Sequence, residues 1–261
     1  MEWPSLLLGT ILLRPYVFVF LAVYLTISIL NMGLVRSIVF TVLAYTIAFL
    51  SEYFSTRIGF PYGFYEYIET TRGQELWISN VPFMDSLSYS FLAYVAYTMA
   101  LFLWSPLKIN RWDIRLIESS RVRKSLRVVF SGAILFMLMD VIIDPIAFQG
   151  DRWFLGQIYT YKEQGEYFNI PLTNFFGWLL VGTCILYSFT RLDGYLDRTF
   201  PYKEQEFPAQ ALLGPALYFG VLLFNLAVTF YIGEWALGAC GTSLTLMLFW
   251  LLNRKIRRPK K

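Results

Sequence analysis

Long apolar runs separated by short polar segments set the plan of this chain. A helix that crosses a bilayer needs about 20 mainly apolar residues. The hydropathy pattern predicts seven such segments, at roughly 15–33, 36–54, 82–104, 125–147, 172–190, 211–230 and 233–252. The expected fold is therefore an all-α polytopic membrane protein, a bundle of about seven transmembrane helices in one domain over 1–261. The short join near Gly233–Glu234 leaves a re-entrant segment as the alternative for the last two runs. Arg14 alone precedes the first run and no small-residue cleavage site follows it, so that run reads as a retained span and not as a signal peptide. No repeat of 20–50 residues and no low-complexity linker interrupts the pattern.

Composition agrees. The chain is 57% hydrophobic and only 15% charged, against about 25% charged in soluble domains. Its net charge of +4 does not point to nucleic acid, because the basic residues sit beside apolar runs, where lipid headgroups and orientation account for them. If the N-terminus is outside, all but five of the 22 Lys and Arg residues fall on the inner side, the five being Arg14, Arg57, Arg72, Arg152 and Lys162. An N-out, C-in topology follows, with the C-terminus cytoplasmic. The basic 105–124 loop and the tail from Arg254 to Lys261 read as inner-surface anchors. A short amphipathic helix on Trp112, Ile114, Leu116 and Ile117 is the alternative for the loop.

Absences narrow the chemistry. There is no histidine, which excludes histidine-box diiron enzymes, His-ligated haem and HExxH zinc proteases. Lys108, Lys124, Lys162, Lys203, Lys255, Lys260 and Lys261 all lie outside the apolar cores, so a retinal-type Schiff base has no lysine. Cys184 and Cys240 fall inside apolar runs and read as small buried hydrophobes.

The candidate chemistry gathers where spans two, four and five meet one side of the membrane. Span two ends at Glu52, and the stretch to Tyr67 adds Arg57, Glu66, four tyrosines (Tyr53, Tyr62, Tyr65, Tyr67) and a Gly-Phe-Pro-Tyr-Gly turn. Span four ends in Asp140-Val-Ile-Ile-Asp144-Pro145, and span five opens with Asn174, Gly177 and Trp178. Asp140 and Asp144 share one helix face. A carboxylate in a span costs about 3 kcal/mol and points by default at a bundle interior or wet cavity. Two that repel retain one proton near neutrality, which is what a general acid requires. An aspartate at a helix end reaching water, with Pro145 marking the break, is the plainer reading. Glu52 and Arg57 either set the protonation of that pair and place water, or only hold each other at the interface. The tyrosines fit an interfacial belt as well as a pocket, Trp178 likewise. Asn174 wants a partner in lipid and Gly177 allows close helix approach. Glu66 and Glu69 read as solvated. Asp193 and Asp197 would complete two Asp-x-x-x-Asp pairs, as a magnesium-dependent prenyltransferase uses. The topology puts the pairs on opposite sides, and Phe136 stands where that motif has Asn.

Taken together, the 52–67 stretch, Val81-Pro82, Asp140-x-x-x-Asp144-Pro145 and Phe168-Asn-Ile-Pro-x-x-Asn174-Phe-x-Gly-Trp178 resemble the CruF-like carotenoid biosynthesis membrane proteins, the carotenoid hydratases of bacteria and archaea, over roughly 45–185. The resemblance implies a hydro-lyase that adds water to the terminal isopropylidene C=C of an acyclic carotenoid end, giving a tertiary alcohol. Such chemistry needs a neutral carboxylic acid in an apolar site, aromatic faces beside the tertiary cation and a polar group to orient water. It needs no metal and no cofactor. The expected roles are Asp140 or Asp144 as proton donor, Glu52 and Arg57 setting its protonation and placing water, and Tyr62, Tyr65, Tyr67, Asn174 and Trp178 lining the end-group pocket. Expected partners are the bilayer, a long carotenoid reaching the site from the lipid side and other pathway enzymes, in the cytoplasmic membrane of a bacterium or archaeon. A cyclase using the same acid without water, a non-catalytic carotenoid-binding or transport protein, and the prenyltransferase remain as alternatives.

Overall fold

The computed structural model describes residues 3–110, 113–117, 120–153, 156–201 and 208–257. Its helices are α1 (Trp3–Leu13), α2 (Pro15–Met32), α3 (Leu34–Ile58), α4 (Phe83–Trp104), α5 (Ser120–Arg123), α6 (Leu126–Ala147), α7 (Leu172–Thr199), α8 (Leu213–Tyr231) and α9 (Trp235–Arg257). Short strands lie between them: β1 (Tyr65–Tyr67), β2 (Trp77–Ile78), β3 (Val81–Pro82), β4 (Leu107–Asn110), β5 (Asp113–Leu116) and β6 (Tyr159–Tyr161). Among the described residues, seven helices are long and apolar enough to cross a membrane, namely α2, α3, α4, α6, α7, α8 with its preceding turn, and α9. The fold is the expected all-α polytopic bundle.

Helix ends fall where local chemistry sets them. Pro15 opens α2, where its missing N–H costs nothing. Gly33, with φ at +82°, is the single residue between α2 and α3, a conformation that suits glycine. The α8–α9 join spans three residues, Ile232 to Glu234, and the two helices run antiparallel with Gly238 against Phe230 and Gly241 against Leu226. They are two spans and not one re-entrant segment. α1 is not among the expected elements. At about 1.5 Å per residue its 11 residues are too short to cross. It packs instead on the 71–76 loop, where Thr10 Oγ1 accepts the Leu76 N–H at 2.9 Å.

α4 is the buried axis of the bundle, in contact with α2, α3, α6 and α8. Ala93, Ala96 and Ala100 on it are wholly buried and let neighbouring helices close in. α6 and α7 pack through glycines, Gly132 against Leu186 and Gly182 against Phe136. The outer faces carry exposed Leu50, Leu223, Leu246 and Trp250, as a surface solvated by lipid tails requires. Cys184 and Cys240 lie on these outer faces, exposed, and not in the core as their apolar surroundings suggested.

The alternating spans give the bundle two ends of different character. Arg36, Arg123 and Arg254 lie at one end, where Arg36 pairs with Asp193 at 3.3 Å and with Asp197 at 2.6 Å. Beside them β4 and β5 pair antiparallel, Ile109 with Ile114, in place of the amphipathic helix considered for this loop. The period-two alternation of Leu107-Lys-Ile-Asn and Asp113-Ile-Arg-Leu is a strand pattern. Trp112, Arg111, Lys203, Arg258, Lys260 and Lys261 fall outside the described residues. At the other end the α3–α4 and α6–α7 loops fold toward each other through β1 and β6, which pair Tyr65 with Tyr161 and Tyr67 with Tyr159. Glu52, Asp144 and Asn174 all lie at this end, as the span alternation required.

Candidate active site

A cavity of about 160 Å³ opens under the β1–β6 pair. Its polar centre is on α6. Asp140 and Asp144, one turn apart, are both buried. From the first turn of α7, the Asn174 side-chain amide donates to Asp140 Oδ2 at 2.7 Å and to Asp144 Oδ2 at 3.0 Å. Asp144 also accepts the Tyr161 hydroxyl at 3.0 Å and the Tyr159 hydroxyl. Asp140 Oδ1 is buried with no hydrogen-bond partner. Three neutral donors converging on Asp144 suit an ionised carboxylate. An oxygen with no donor suits a neutral acid whose proton is free to leave. The two like residues thus have different hydrogen-bond environments.

Four tyrosines form the roof. Tyr65 and Tyr67 are two apart on β1, Tyr159 and Tyr161 two apart on β6, so the strand period puts all four rings on one face, with Glu66 exposed. Tyr65 lies edge-on to Tyr67, Tyr159 and Tyr161 at 5.4–6.0 Å between centroids. Burial holds all four phenols well above their ordinary value. The carboxylate of Glu52 pushes Tyr65 and Tyr67 further, and that of Asp144 pushes Tyr159 and Tyr161. They are neutral donors at any physiological pH.

The facing wall is also acidic. Glu52, near the end of α3, accepts the Ser86 hydroxyl, and the Tyr67 hydroxyl lies close to Glu52 and to Asp85. Asp85, in the first turn of α4, pairs with Arg14 at 3.2 Å, and Arg14 pairs with the buried Glu75 at 3.0 Å. Sequence reasoning missed Asp85, Arg14, Glu75 and the Tyr159–Tyr161 pair. An aspartate three residues into a span, an arginine at the start of another, and the Tyr-Thr-Tyr alternation were the available signals.

Aromatic faces complete the cavity. Trp178 stacks on Tyr89 at 4.5 Å and 14° between planes, with Phe136 at 4.7 Å. Tyr62 closes the box at 6.3 Å from Trp178. Its position is fixed by its N–H on Ser55 Oγ and its hydroxyl on Ser51 Oγ, both at 2.9 Å. Trp178 is buried, not a belt residue. A second aromatic group, Tyr16, Phe20 and Phe224 at 5.2–5.6 Å, lines the side between α2 and α8.

Of the expected site residues, Glu52, Tyr62, Tyr65, Tyr67, Asp140, Asp144, Asn174 and Trp178 line this one cavity. Arg57 does not. It lies exposed, donates to Asn80 Oδ1 at 2.7 Å and Ser79 Oγ at 3.1 Å, and covers the Tyr53 ring. It makes no pair with Glu52, because five positions along a helix place two side chains on different faces. Asp193 and Asp197 are held by Arg36 and Arg123 at the opposite end of the bundle, so the two Asp-x-x-x-Asp pairs do not form one site.

No curated protein and no solved structure matches the chain. The model of a family described as carotenoid biosynthesis protein matches residues 5–248, well beyond the 45–185 region that carries the motifs. The chain belongs to the carotenoid biosynthesis protein family.

Proposed function

We propose that this membrane protein is a carotenoid hydratase, a hydro-lyase that adds water to the terminal isopropylidene C=C of an acyclic carotenoid end. The observation that carries this reading is a wholly buried carboxyl, Asp140, with one oxygen free of hydrogen bonds beside an aromatic box.

Asp140 delivers its proton to the secondary alkene carbon and a tertiary cation forms at its neighbour. Trp178, Tyr89 and Tyr62 border the space where that cation forms, and a desolvated ring face is worth about 2 kcal/mol or more to a cation. Asp144, held by Asn174, Tyr159 and Tyr161, keeps a negative charge next to the developing positive one. Water at the Glu52 wall captures the cation. Every step uses carboxyl and aromatic groups of the chain, so the reaction calls on no cofactor. The cavity is smaller than the roughly 300–1,000 Å³ of pockets that enclose a whole small ligand, which suits one end of a long chain whose remainder lies among the helices or in lipid. The partly exposed Tyr16, Phe20 and Phe224 between α2 and α8 mark the side from which such a chain would come. The basic end of the bundle faces the cytoplasm of a bacterium or archaeon in this reading.

Expression in a lycopene-producing host tests the assignment. Carotenoids heavier by one or two waters, absent with Asp140→Asn, support it. A product of unchanged mass but altered absorption would make the protein a cyclase.

A further inference from the structure

Two carboxylates that line the cavity, Asp140 and Asp85, each keep a buried oxygen, Oδ1 and Oδ2 respectively, that takes no hydrogen bond among the described residues. They sit on different helices and in opposite electrostatic settings. Asp140 pairs with no cation among the described residues; its neighbours are a second carboxylate and a neutral amide. Asp85 is paired with the guanidinium of Arg14, which is itself completely buried. Arg14 is in turn shared with Glu75, so one positive charge faces two carboxylates. Burial disfavours charge on Arg14, but Asp85 and Glu75 outweigh it and hold the guanidinium charged. With both acids ionised the Arg14–Glu75–Asp85 group is one negative charge in excess, and taking up a proton leaves it neutral. Asp85, unlike Glu75, lines the cavity, so it is the carboxylate of this group that a water there would meet. Glu52, the alternative on the same wall, has no cation within ion-pair distance among the described residues; Ser86 donates to it instead.

Resting on the hydratase reading above, we infer that Asp85 is the general base of the reaction, the group that takes the proton from the attacking water, with Arg14 and Glu75 as its positioning residues. Asp140 gives its proton to the alkene and the C–H bond forms. The water oxygen bonds to the tertiary carbon as one of its O–H bonds breaks toward Asp85 Oδ2. The product carries one added water, and return of the proton from Asp85 to Asp140 restores both groups. Acid and base lie on different helices, so formation of the cation and its capture are separable by mutation.

Incubation of the purified protein with lycopene in D2O separates them. An end group that is protonated and then deprotonated without capture exchanges hydrogen for deuterium at the alkene carbon, and mass spectrometry distinguishes this from hydration. Asp85→Asn is expected to lower hydration by about 10²-fold, the scale of a lost general base, while deuterium exchange stays within about threefold. Asp85→Glu restores hydration in part, and Asp140→Asn loses both. Hydration and exchange falling together in a folded Asp85→Asn protein, or both staying at the wild-type level, would overturn the role of Asp85. A wild-type protein that neither hydrates nor exchanges would overturn the hydratase reading itself, and this inference with it.

Discussion

Asn174 donates to Asp140 at 2.7 Å and to Asp144 at 3.0 Å through one side-chain amide. A single neutral residue of α7 thus bridges two carboxylates of α6. It binds both while leaving Asp140 Oδ1 without a partner, which distinguishes Asp140 from its neighbour.

The division of roles predicts unequal losses. Asp140→Asn removes the proton donor and is expected to lower turnover by about 10²–10⁴-fold. Asp144→Asn, which disturbs the hold of Tyr159 and Tyr161 on the pair, is expected to cost closer to tenfold. Product formation by each purified variant measures this. Equal losses, or the reverse order, would reassign the acid.

Arg57 offers a contrast within the same motif. Its guanidinium is committed to Ser79, Asn80 and the Tyr53 ring at the surface. Arg57→Ala is expected to change turnover by less than about twofold, since surface substitutions of this kind have small effects. A loss comparable to that of Asp140→Asn would return Arg57 to the catalytic group.

Gly177 tests the packing that places the box. A Cβ there would stand 2.9 Å from the Pro61 carbonyl oxygen and press on the Tyr62 ring. Gly177→Ala is therefore expected to destabilise the protein by about 1–3 kcal/mol and to impair turnover by moving Tyr62. Thermal unfolding in detergent, compared with wild type, reads the first effect. An unchanged melting temperature would mean that the loop yields.

The tyrosine roof predicts a pH dependence. In the unfolded chain Tyr65, Tyr67, Tyr159 and Tyr161 ionise near ~10, whereas burial holds them above that in the folded protein. Below pH about 10 both states keep these protons and the phenols contribute no slope. Above it the unfolded state releases protons that the folded state retains, so stability falls as pH rises. Melting temperature followed from pH 8 to 11 checks the sign. Replacing all four by phenylalanine should flatten the alkaline fall.

Much of this was legible in the sequence because the membrane imposes a strong pattern. Apolar runs of the required length give the seven spans, and alternation alone places Glu52, Asp144 and Asn174 at one end. The Asp140–Asp144 spacing gives a shared face without any tertiary information. What stayed hidden depends on loops meeting. Nothing local to Tyr159-Thr-Tyr161 states that it pairs with Tyr65-Glu-Tyr67, a partner more than 90 residues away in sequence. Arg14 looked like a flanking charge, and only the loop carrying Glu75 turns it into a buried ion pair. Arg57 erred in the other direction: its closeness to Glu52 along the chain suggested a pair that the helix period forbids.

Turnover of lycopene by the purified protein in water enriched in ¹⁸O tests directly whether water is added across the alkene. A hydratase gives a tertiary alcohol carrying one ¹⁸O per modified end, formed by the wild type and not by Asp140→Asn. An isomer without added oxygen, or an alcohol whose oxygen is unlabelled, would contradict it.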